Sequence, residues 1–411
     1  MAGLMALLSW ASPTQLLGFA EQPVLFVDGR TNLFVESVTT DLLGDRASSA
    51  IRASIARDEA RALVEAAAAR LQVDVGPGRF QLSSALFRMF GEGRMKLETV
   101  EGRRRGAGAA LFASESAMRW ANEGFACDTG TDSFAAGWLA SSIEMALGRP
   151  ANSVESRQST ACSRTGDTVY FDIGKGDDRP PRQRITQADL NRHARRGPAP
   201  APTALQSHLR EQMSDVGDSD TGVSTFLGVP VALRSVGYFV HLQAACRQAV
   251  IGSALEATVE QAFVEAWRLG TLSLLHRLDS STTWRSLIQA QGGGLLQPTE
   301  VLDELLAAWG WGAVSIRSFD AGVTVSCDVP ADEIYATALG TPMRSAMLAG
   351  VCQAVADANR LKRAGYDAWD DWYSSVPGFD VRFVESLSTD GDRCVVECSR
   401  AMDGLGRLRA G

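Results

Sequence analysis

The residues of this chain that could do chemistry are few, and their spacing limits what they can do. It carries four histidines, nine tryptophans and seven cysteines. His193 and His208 fall in a polar, proline-bearing stretch and are expected to be solvated. His241, in Tyr238-Phe239-Val240-His241-Leu242, alternates with apolar neighbours, and His276 follows Leu274-Leu275 on an apolar helix. A catalytic base needs a partner that orients it and a substrate proton in reach, and a lone histidine more often fills a hydrogen-bonded core or rim position. The sequence has no nucleophile–histidine–carboxylate order and no Gly-X-Ser-X-Gly elbow. It also lacks a dinucleotide fingerprint, a Walker loop and a His-Glu-X-X-His pair. Trp309 and Trp311 flank a glycine, and Trp369-Asp370-Asp371-Trp372-Tyr373 sets two indoles three residues apart, on one side if helical. That second cluster reads first as a lid packed on the core. Its sharper reading is a loop closing over an apolar or cationic ligand, with Asp370 and Asp371 supplying charge. The expected ligand-binding set is therefore Trp138, His241, His276, Trp309, Trp311, Trp369 and Trp372, with no catalytic residue.

The elements that must position these side chains follow from length and composition. A chain of 411 residues is long enough for two cores, and 45% hydrophobic with 21% charged residues is the balance of a folded soluble protein. A net charge of −8 argues against nucleic acid, and the one basic run, Arg103-Arg104-Arg105, reads as a solvated turn. Residues 1–20 are apolar but interrupted by Pro13 and Gln15, without the basic start of a secretory signal or the unbroken run of a membrane span. They are expected to form an amphipathic helix docked on the body. An odd number of scattered cysteines (Cys127, Cys162, Cys246, Cys327, Cys352, Cys394 and Cys398) without an export signal implies reduced thiols and a cytoplasmic protein.

Two halves flank a Pro-, Arg- and Asp-rich stretch, 174–222, expected to be a linker holding no core residues and at most a short helix from Thr203 to Met213. The halves, 21–173 and 223–400, present the same succession, and 401–411 forms a tail. Each opens with an apolar strand, Pro23–Val27 or Val229–Leu233. Each then has an expected turn, at Asp28-Gly29 or Arg234–Gly237, and an expected second strand, Thr31–Val38 or Tyr238–Leu242. Helical faces follow: Ile51, Ile55, Leu63, Ala67 and Leu71 in one, Leu255, Val259, Phe263 and Trp267 in the other. Phe90-Gly91-Glu92-Gly93 and Trp309-Gly310-Trp311-Gly312 both precede an alternating strand, where glycine supplies the positive φ that ends a helix. A phosphate-cradling loop is rejected there, because the order is helix then strand. A second strand (Gly108–Phe112, Gly322–Cys327) and an Ala-rich helix with an internal glycine (Ser133–Leu147, Met343–Arg360) come next. The small-residue stripe reads as a packing device first and as the wall of a ligand channel, with Trp138, second. Each half closes with a Gly-Asp turn and a last strand. Agreement in order over this length is the signature of a tandem duplication.

With those motifs on the page, the chain resembles the 4-vinyl-reductase domain family, in the wider form found at the N-terminus of bacterial aromatic-sensing activators such as the xylene and phenol regulators. The resemblance rests on the glycine–strand segments Leu86 to Glu98 and Leu305 to Arg317, on the small-residue helix followed by Gly148-Arg149-Pro150, and on the Cys162-X3-Gly166-Asp167 turn. It covers most of both halves and leaves out the linker and the ends. It implies a mixed α/β fold: two modules, each a mainly antiparallel sheet with packed helices, joined as an intrachain pseudo-dimer. A covalent link of this kind raises the effective concentration of the partner module. The family's structural zinc, held by three Cys and one Glu, would place Cys127 and Cys162 in a site. The Glu position falls on Ser159 and the last Cys on Tyr170, while Glu155 reaches it only if the register slips. In the second copy Glu385 and Cys394 remain, but Ser388 and Leu339-Gly340 stand where cysteines should be. Structural zinc wants four ligands, so both sites read as degenerate and no cofactor is expected. The phenol-reading His and Trp of the sensors have no clear counterpart in the first copy.

The expected function is that of a binding or sensory protein for a small hydrophobic or aromatic molecule, non-enzymatic, with no nucleic-acid or membrane partner and no helix-turn-helix or ATPase module of its own. A downstream protein partner is allowed for, as a monomer or a homodimer. Two other readings stand beside it: an enzyme or enzyme accessory acting on an aromatic or tetrapyrrole-like substrate, and a structural adaptor.

Overall fold

A computed structural model describes residues 2–11, 14–92, 94–98, 108–112, 133–158, 167–173, 182–193, 201–213, 224–290, 298–319, 322–363, 379–387 and 393–400. The N-terminal part runs α1 (Ala2–Met5), β1 (Leu8–Trp10), β2 (Leu17–Phe19), β3 (Gln22–Asp28), α2 (Gly29–Leu43), α3 (Asp45–Leu71), α4 (Pro77–Met89), β4 (Arg94–Glu98), β5 (Gly108–Phe112), α5 (Ser133–Ala146), β6 (Val154–Gln158) and β7 (Asp167–Ile173). Two short helices follow, α6 (Gln187–His193) and α7 (Ala204–Gln212). The C-terminal part runs β8 (Ser224–Phe226), β9 (Val229–Ser235), α8 (Val236–Ala249), α9 (Val259–Ser280), α10 (Thr282–Ala290), α11 (Leu302–Ala308), β10 (Val314–Phe319), β11 (Gly322–Cys327), α12 (Ala331–Ala338), α13 (Ala346–Arg363), β12 (Phe379–Glu385) and β13 (Cys394–Arg400). This is a mixed α/β protein. Among the described residues no helix is long and apolar enough to cross a membrane.

The hairpin that opens each half lies earlier than the sequence pattern predicts. β2 meets β3 across Ala20-Glu21, and β8 meets β9 across Leu227-Gly228; all four turn residues have positive φ, the geometry a two-residue hairpin turn requires. The expected strands Thr31–Val38 and Tyr238–Leu242 are instead helical, inside α2 and α8. The cause is local. Asp28 Oδ1 accepts a hydrogen bond from the Arg30 amide (2.8 Å), and Ser235 Oγ accepts one from the Gly237 amide (3.0 Å). These are N-caps, so the chain turns from strand into helix there and makes no hairpin. The expected N-terminal amphipathic helix is likewise reduced to the single turn of α1. Residues 8–10 and 17–19 pair as strands, and Trp10 Nε1 donates to the Ala308 carbonyl (3.0 Å).

Two four-stranded antiparallel sheets share one strand order, β4-β5-β7-β6 and β10-β11-β13-β12, and β5 and β11 occupy the spans read from the sequence. In each half the Ala-rich helix lies against the long helix through its glycine. A Cβ on Gly137 would strike the Ala53 backbone of α3, and one on Gly350 would strike Trp267 and, at 2.8 Å, the Val264 carbonyl of α9. Beside each glycine contact lies a buried carboxylate paired with arginine: Glu144 with Arg57 (3.4 Å) and Arg61 (2.9 Å) in one half, Asp357 with Arg268 (2.8 Å) in the other.

A third sheet, β1-β2-β3-β9-β8, is shared by the two halves. β3 and β9 run antiparallel with Phe26 opposite Leu233. The Phe26 amide donates to the Trp309 carbonyl and the Leu233 amide to the Phe90 carbonyl, both at 3.0 Å. The helix–glycine–strand junction of each half thus docks on the central strand of the other. Gly91 (φ +83°) and Gly310 (φ +88°) end their helices in the left-handed region, as the sequence pattern predicts. A Cβ on Gly91 would lie 2.6 Å from the Val231 carbonyl, and one on Gly310 would collide with Leu17.

The stretch read as a coreless linker is part of the body. Ile185, Leu190, Leu209 and Met213 are buried, and α7 begins in a capping box between Thr203 and Gln206. Its apolar residues, four to five apart, mark one face of a docked strap. His193 is exposed there as expected, and His208 is half-buried.

Replacing Gly91 or Gly310 with alanine is expected to lower stability by at least about 2 kcal/mol, from left-handed strain plus steric overlap. Urea unfolding followed by tryptophan fluorescence measures it. A loss under about 0.5 kcal/mol, the scale of an indifferent surface substitution, would contradict the close docking described for these glycines.

Candidate functional site

Polar and charged groups gather where the halves meet, in two grooves. The first is walled by α3, α8 and α12 and covered by residues 182–186. Arg182 Nη1 donates to Ser54 Oγ (3.0 Å) and Asp58 Oδ2 (2.6 Å), and Arg184 Nη1 donates to Glu65 Oε2 (3.1 Å). Ile185 is buried beneath them, and the Gln187 amide donates to the Glu21 carbonyl (2.8 Å). About 30 Å³ remains under this strap, lined by Glu59, Ser235, Tyr238, His241 and Tyr335 among others. That is room for about one water molecule.

His241 therefore sits in a helix wall, not in a strand. Burial and, next, the Arg182 guanidinium bring its imidazole down to about 4, so it is neutral near pH 7 and a weak base. Beside it Glu59 Oε1 accepts from the Ser235 amide (2.8 Å), while Oε2 is buried without a hydrogen-bond partner among the described residues. Burial raises this carboxyl from 4.5 to about 7, against the pull of Arg234. Arg234 is itself fully buried and donates to Glu92 Oε2 (3.0 Å), with its guanidinium 3.4 Å from the centre of the Phe134 ring. Burial alone would lower its pKa. The carboxylates of Glu92, Glu59 and Glu36 together with Tyr238 outweigh that and hold the guanidinium charged. The Tyr238 hydroxyl donates to Glu36 Oε1 (3.3 Å), and Glu36 also receives Arg52 (2.9 Å). These groups join α2, α3, β4's lead-in, β9 and α8; they fix the junction.

The second groove is open, with a volume of about 560 Å³, at the end of α9 and the start of α10. Arg30 from the first turn of α2, Pro230, His276, Arg277, Thr282 and Thr283 line it. Ser281 closes its floor, donating to the Leu227 carbonyl (2.6 Å) and accepting from the Trp284 amide (3.2 Å). Arg277 Nη1 stands 3.9 Å from Asp28 Oδ2. A third recess of about 470 Å³, more enclosed than the second groove, lies apart, among Gln243, Arg247, Glu256, Glu260 and Met343.

His241 and His276 thus line cavities, one in each groove. Of the tryptophans expected at a ligand site, Trp138, Trp309 and Trp311 are described, and they line none of the three cavities. Trp138 is fully buried, donates to Ser83 Oγ (3.0 Å) and packs edge-on against Phe87 and Phe90. Trp309 packs against Phe226, and Trp311 packs against Trp267 while donating to the Phe26 carbonyl (2.9 Å). Trp369, Trp372, Cys127 and Cys162 lie outside the described residues. Among the described residues no group of three or more His, Cys, Asp or Glu is placed to hold a metal ion. Glu385 pairs with Arg393 (3.2 Å), and burial pushes the Cys327 and Cys394 thiols well above their ordinary range. Cys352 donates to the Val323 carbonyl (3.3 Å), so these cysteines serve the layer between α13 and its sheet.

Arg30, Arg277, Glu59 and Arg234 carry the charge of the junction, and the sequence reading passed over them. Two had a signal: Glu59 interrupts the apolar face of Ile55 and Leu63, and Arg234 ends an apolar strand. Compared with known proteins, the chain matches no family model, no curated protein and no solved structure.

The Glu59 carboxyl makes stability depend on pH. Because its folded value lies above the ordinary 4.5, the folded chain holds a proton that the unfolded chain releases, and stability from this group falls as pH rises from about 4.5 through 7. His241, lowered to about 4, works in the opposite sense between about 4 and 6.5, so the comparison must be between proteins that share it. The stability of the parent relative to Glu59→Gln is expected to drop by on the order of 2–3 kcal/mol between pH 5 and 8, read from urea midpoints. A difference that does not move with pH would contradict it.

Proposed function

We propose that this chain is a small-molecule-binding protein whose two halves are 4-vinyl-reductase-like modules, paired inside one chain as a pseudo-dimer. Three features support the pairing. Both outer sheets have the same strand order, each hairpin runs into a capped helix, and each half docks its glycine junction on the other. Asp28 and Ser235 cap equivalent helices, which makes Phe26 and Leu233 counterparts, and these two residues face one another across β3 and β9. A residue opposite its own counterpart is the mark of an isologous, two-fold contact.

The observation that carries a binding role is the open groove. Its volume is that of a ligand site, and it lies at the junction of two modules, where such sites concentrate. Its ligand has a small hydrophobic or aromatic body, laid along Pro230 and the aliphatic stems of Arg30 and Arg277. The nearby titratable groups are engaged in holding the junction together, which favours binding over turnover. On this reading the protein works in the cytoplasm, sequestering its ligand or signalling to a separate partner.

Native mass spectrometry of the full chain purified from its own host tests this. A co-purified small apolar or aromatic molecule, released on denaturation, is expected. A retained flavin or tetrapyrrole would favour the enzyme reading, and a stable second polypeptide without a small ligand would favour an adaptor.

A further inference from the structure

Residues 182–186 lie across the covered groove as a peptide lies in a receptor, held by side chains on one wall and through the backbone on the others. Arg182 meets Asp58 and Arg184 meets Glu65, both carboxylates on α3. His241 of α8 hydrogen-bonds the backbone of Gln183, and Tyr335 of α12 that of Ile185. The Ile185 side chain is buried. Backbone contacts of this kind give affinity to any sequence, while the charged and apolar contacts select one. The helix that follows carries its own start signal. Thr186 Oγ1 accepts from the Asp189 amide (3.2 Å), and Asp189 Oδ2 accepts from the Thr186 amide (2.8 Å).

The walls have contacts of their own that do not involve this occupant. Glu65 also accepts from Arg61 (3.4 Å), and the His241 and Tyr335 rings stand edge-on with centroids 6.0 Å apart. Gly237 admits the Tyr335 hydroxyl where a Cβ would strike it. The occupant is lightly held by comparison. Both of its ion pairs are partly exposed, where water screens them, and of residues 182–186 only Ile185 is buried. Its fit is also incomplete. Glu59 lines the space of about 30 Å³ left beneath it, and Glu59 Oε2 is buried without a hydrogen-bond partner among the described residues. A preformed groove, a weakly held segment and an unmatched acceptor below it together favour exchange of that segment for another.

We infer that the groove between α3, α8 and α12 is a docking site for a segment of a partner protein, an Arg-X-Arg-apolar stretch running into a short helix, and that residues 182–193 are the stand-in it displaces. The resident segment defines the chemistry of the partner: two arginines for Asp58 and Glu65, and an apolar side chain for the place of Ile185. The inference goes beyond the small-molecule reading and does not depend on what the open groove binds.

Fluorescence anisotropy on the full chain tests it, with a fluorescein-labelled synthetic peptide of residues 182–193 as the probe. The variant Arg182→Ala/Arg184→Ala loosens the resident segment and leaves the walls unchanged. It is expected to bind the peptide about tenfold more tightly than the parent protein, in which the resident competes. Adding Asp58→Asn and Glu65→Gln, or replacing both peptide arginines with alanine, is expected to weaken that binding about tenfold or more. Circular dichroism checks folding, and Arg184→Ala alone replaces the double variant should that one unfold. No binding to the folded variant, equal affinity for parent and variant, or binding indifferent to either set of charges overturns the inference. A dimer of the parent protein that the free peptide dissociates would put a second copy's segment in the groove and overturn the assignment to a different protein. Each of these failures leaves the small-molecule reading standing.

Discussion

The rest of the structure depends on the exchange of backbone hydrogen bonds between the two halves. Phe26 and Leu233 face each other at the middle of a shared sheet, and each amide that points outward from that pair is taken by a carbonyl just before a glycine in the other half. A buried amide left unpaired costs about 1–3 kcal/mol, so neither half can expose this strand cheaply. Gly91 and Gly310 are glycine because both conditions fall on them: a left-handed backbone and a neighbour within contact distance of any Cβ. The junction is consequently made of main chain as much as side chain.

Charge then enters the junction where main chain leaves gaps. Arg234 lies fully buried beside three carboxylates, and one of these, Glu59, holds the amide of Ser235, the last residue of β9. Burial of charge is costly unless it is paired, and the carboxyl of Glu59 shows the residual penalty in its raised affinity for a proton. The strap of residues 182–186 completes that side by matching arginines to Asp58 and Glu65. On the other side Arg30, His276 and Arg277 line an open groove, and among the described residues none crosses it as the strap does. The two halves differ in this way around one shared centre.

Much of the frame was legible in the sequence. The long helices α3 and α9, the strands β5 and β11 and the glycine breaks came from periodicity that tertiary contacts only reinforce. The missed elements were short. Leu17–Phe19 and Ser224–Phe226 are three-residue strands whose pairing is set by turn backbone, and α2 and α8 each hold a short apolar run, Leu33–Val35 and Tyr238–Val240, that suits strand or helix equally. Asp28 and Ser235 were the cap signals that would have decided for helix. At the site, His241 and His276 reached cavity walls as their composition allowed, but Trp138, Trp309 and Trp311 were consumed by packing. Aromatic abundance does not distinguish a core from a pocket. Arg30 and Arg277 could not be paired in advance, because they meet only when the two halves do.

The most direct measurement of this mutual dependence is to divide the chain within residues 194–200 and follow denaturant unfolding of each part alone and of the two mixed. If the shared sheet is what completes each half, neither part alone should show a cooperative transition, and the mixture should recover one with a concentration-dependent midpoint in a 1:1 complex. Two parts that each unfold cooperatively as monomers, with midpoints unchanged on mixing, would contradict the account.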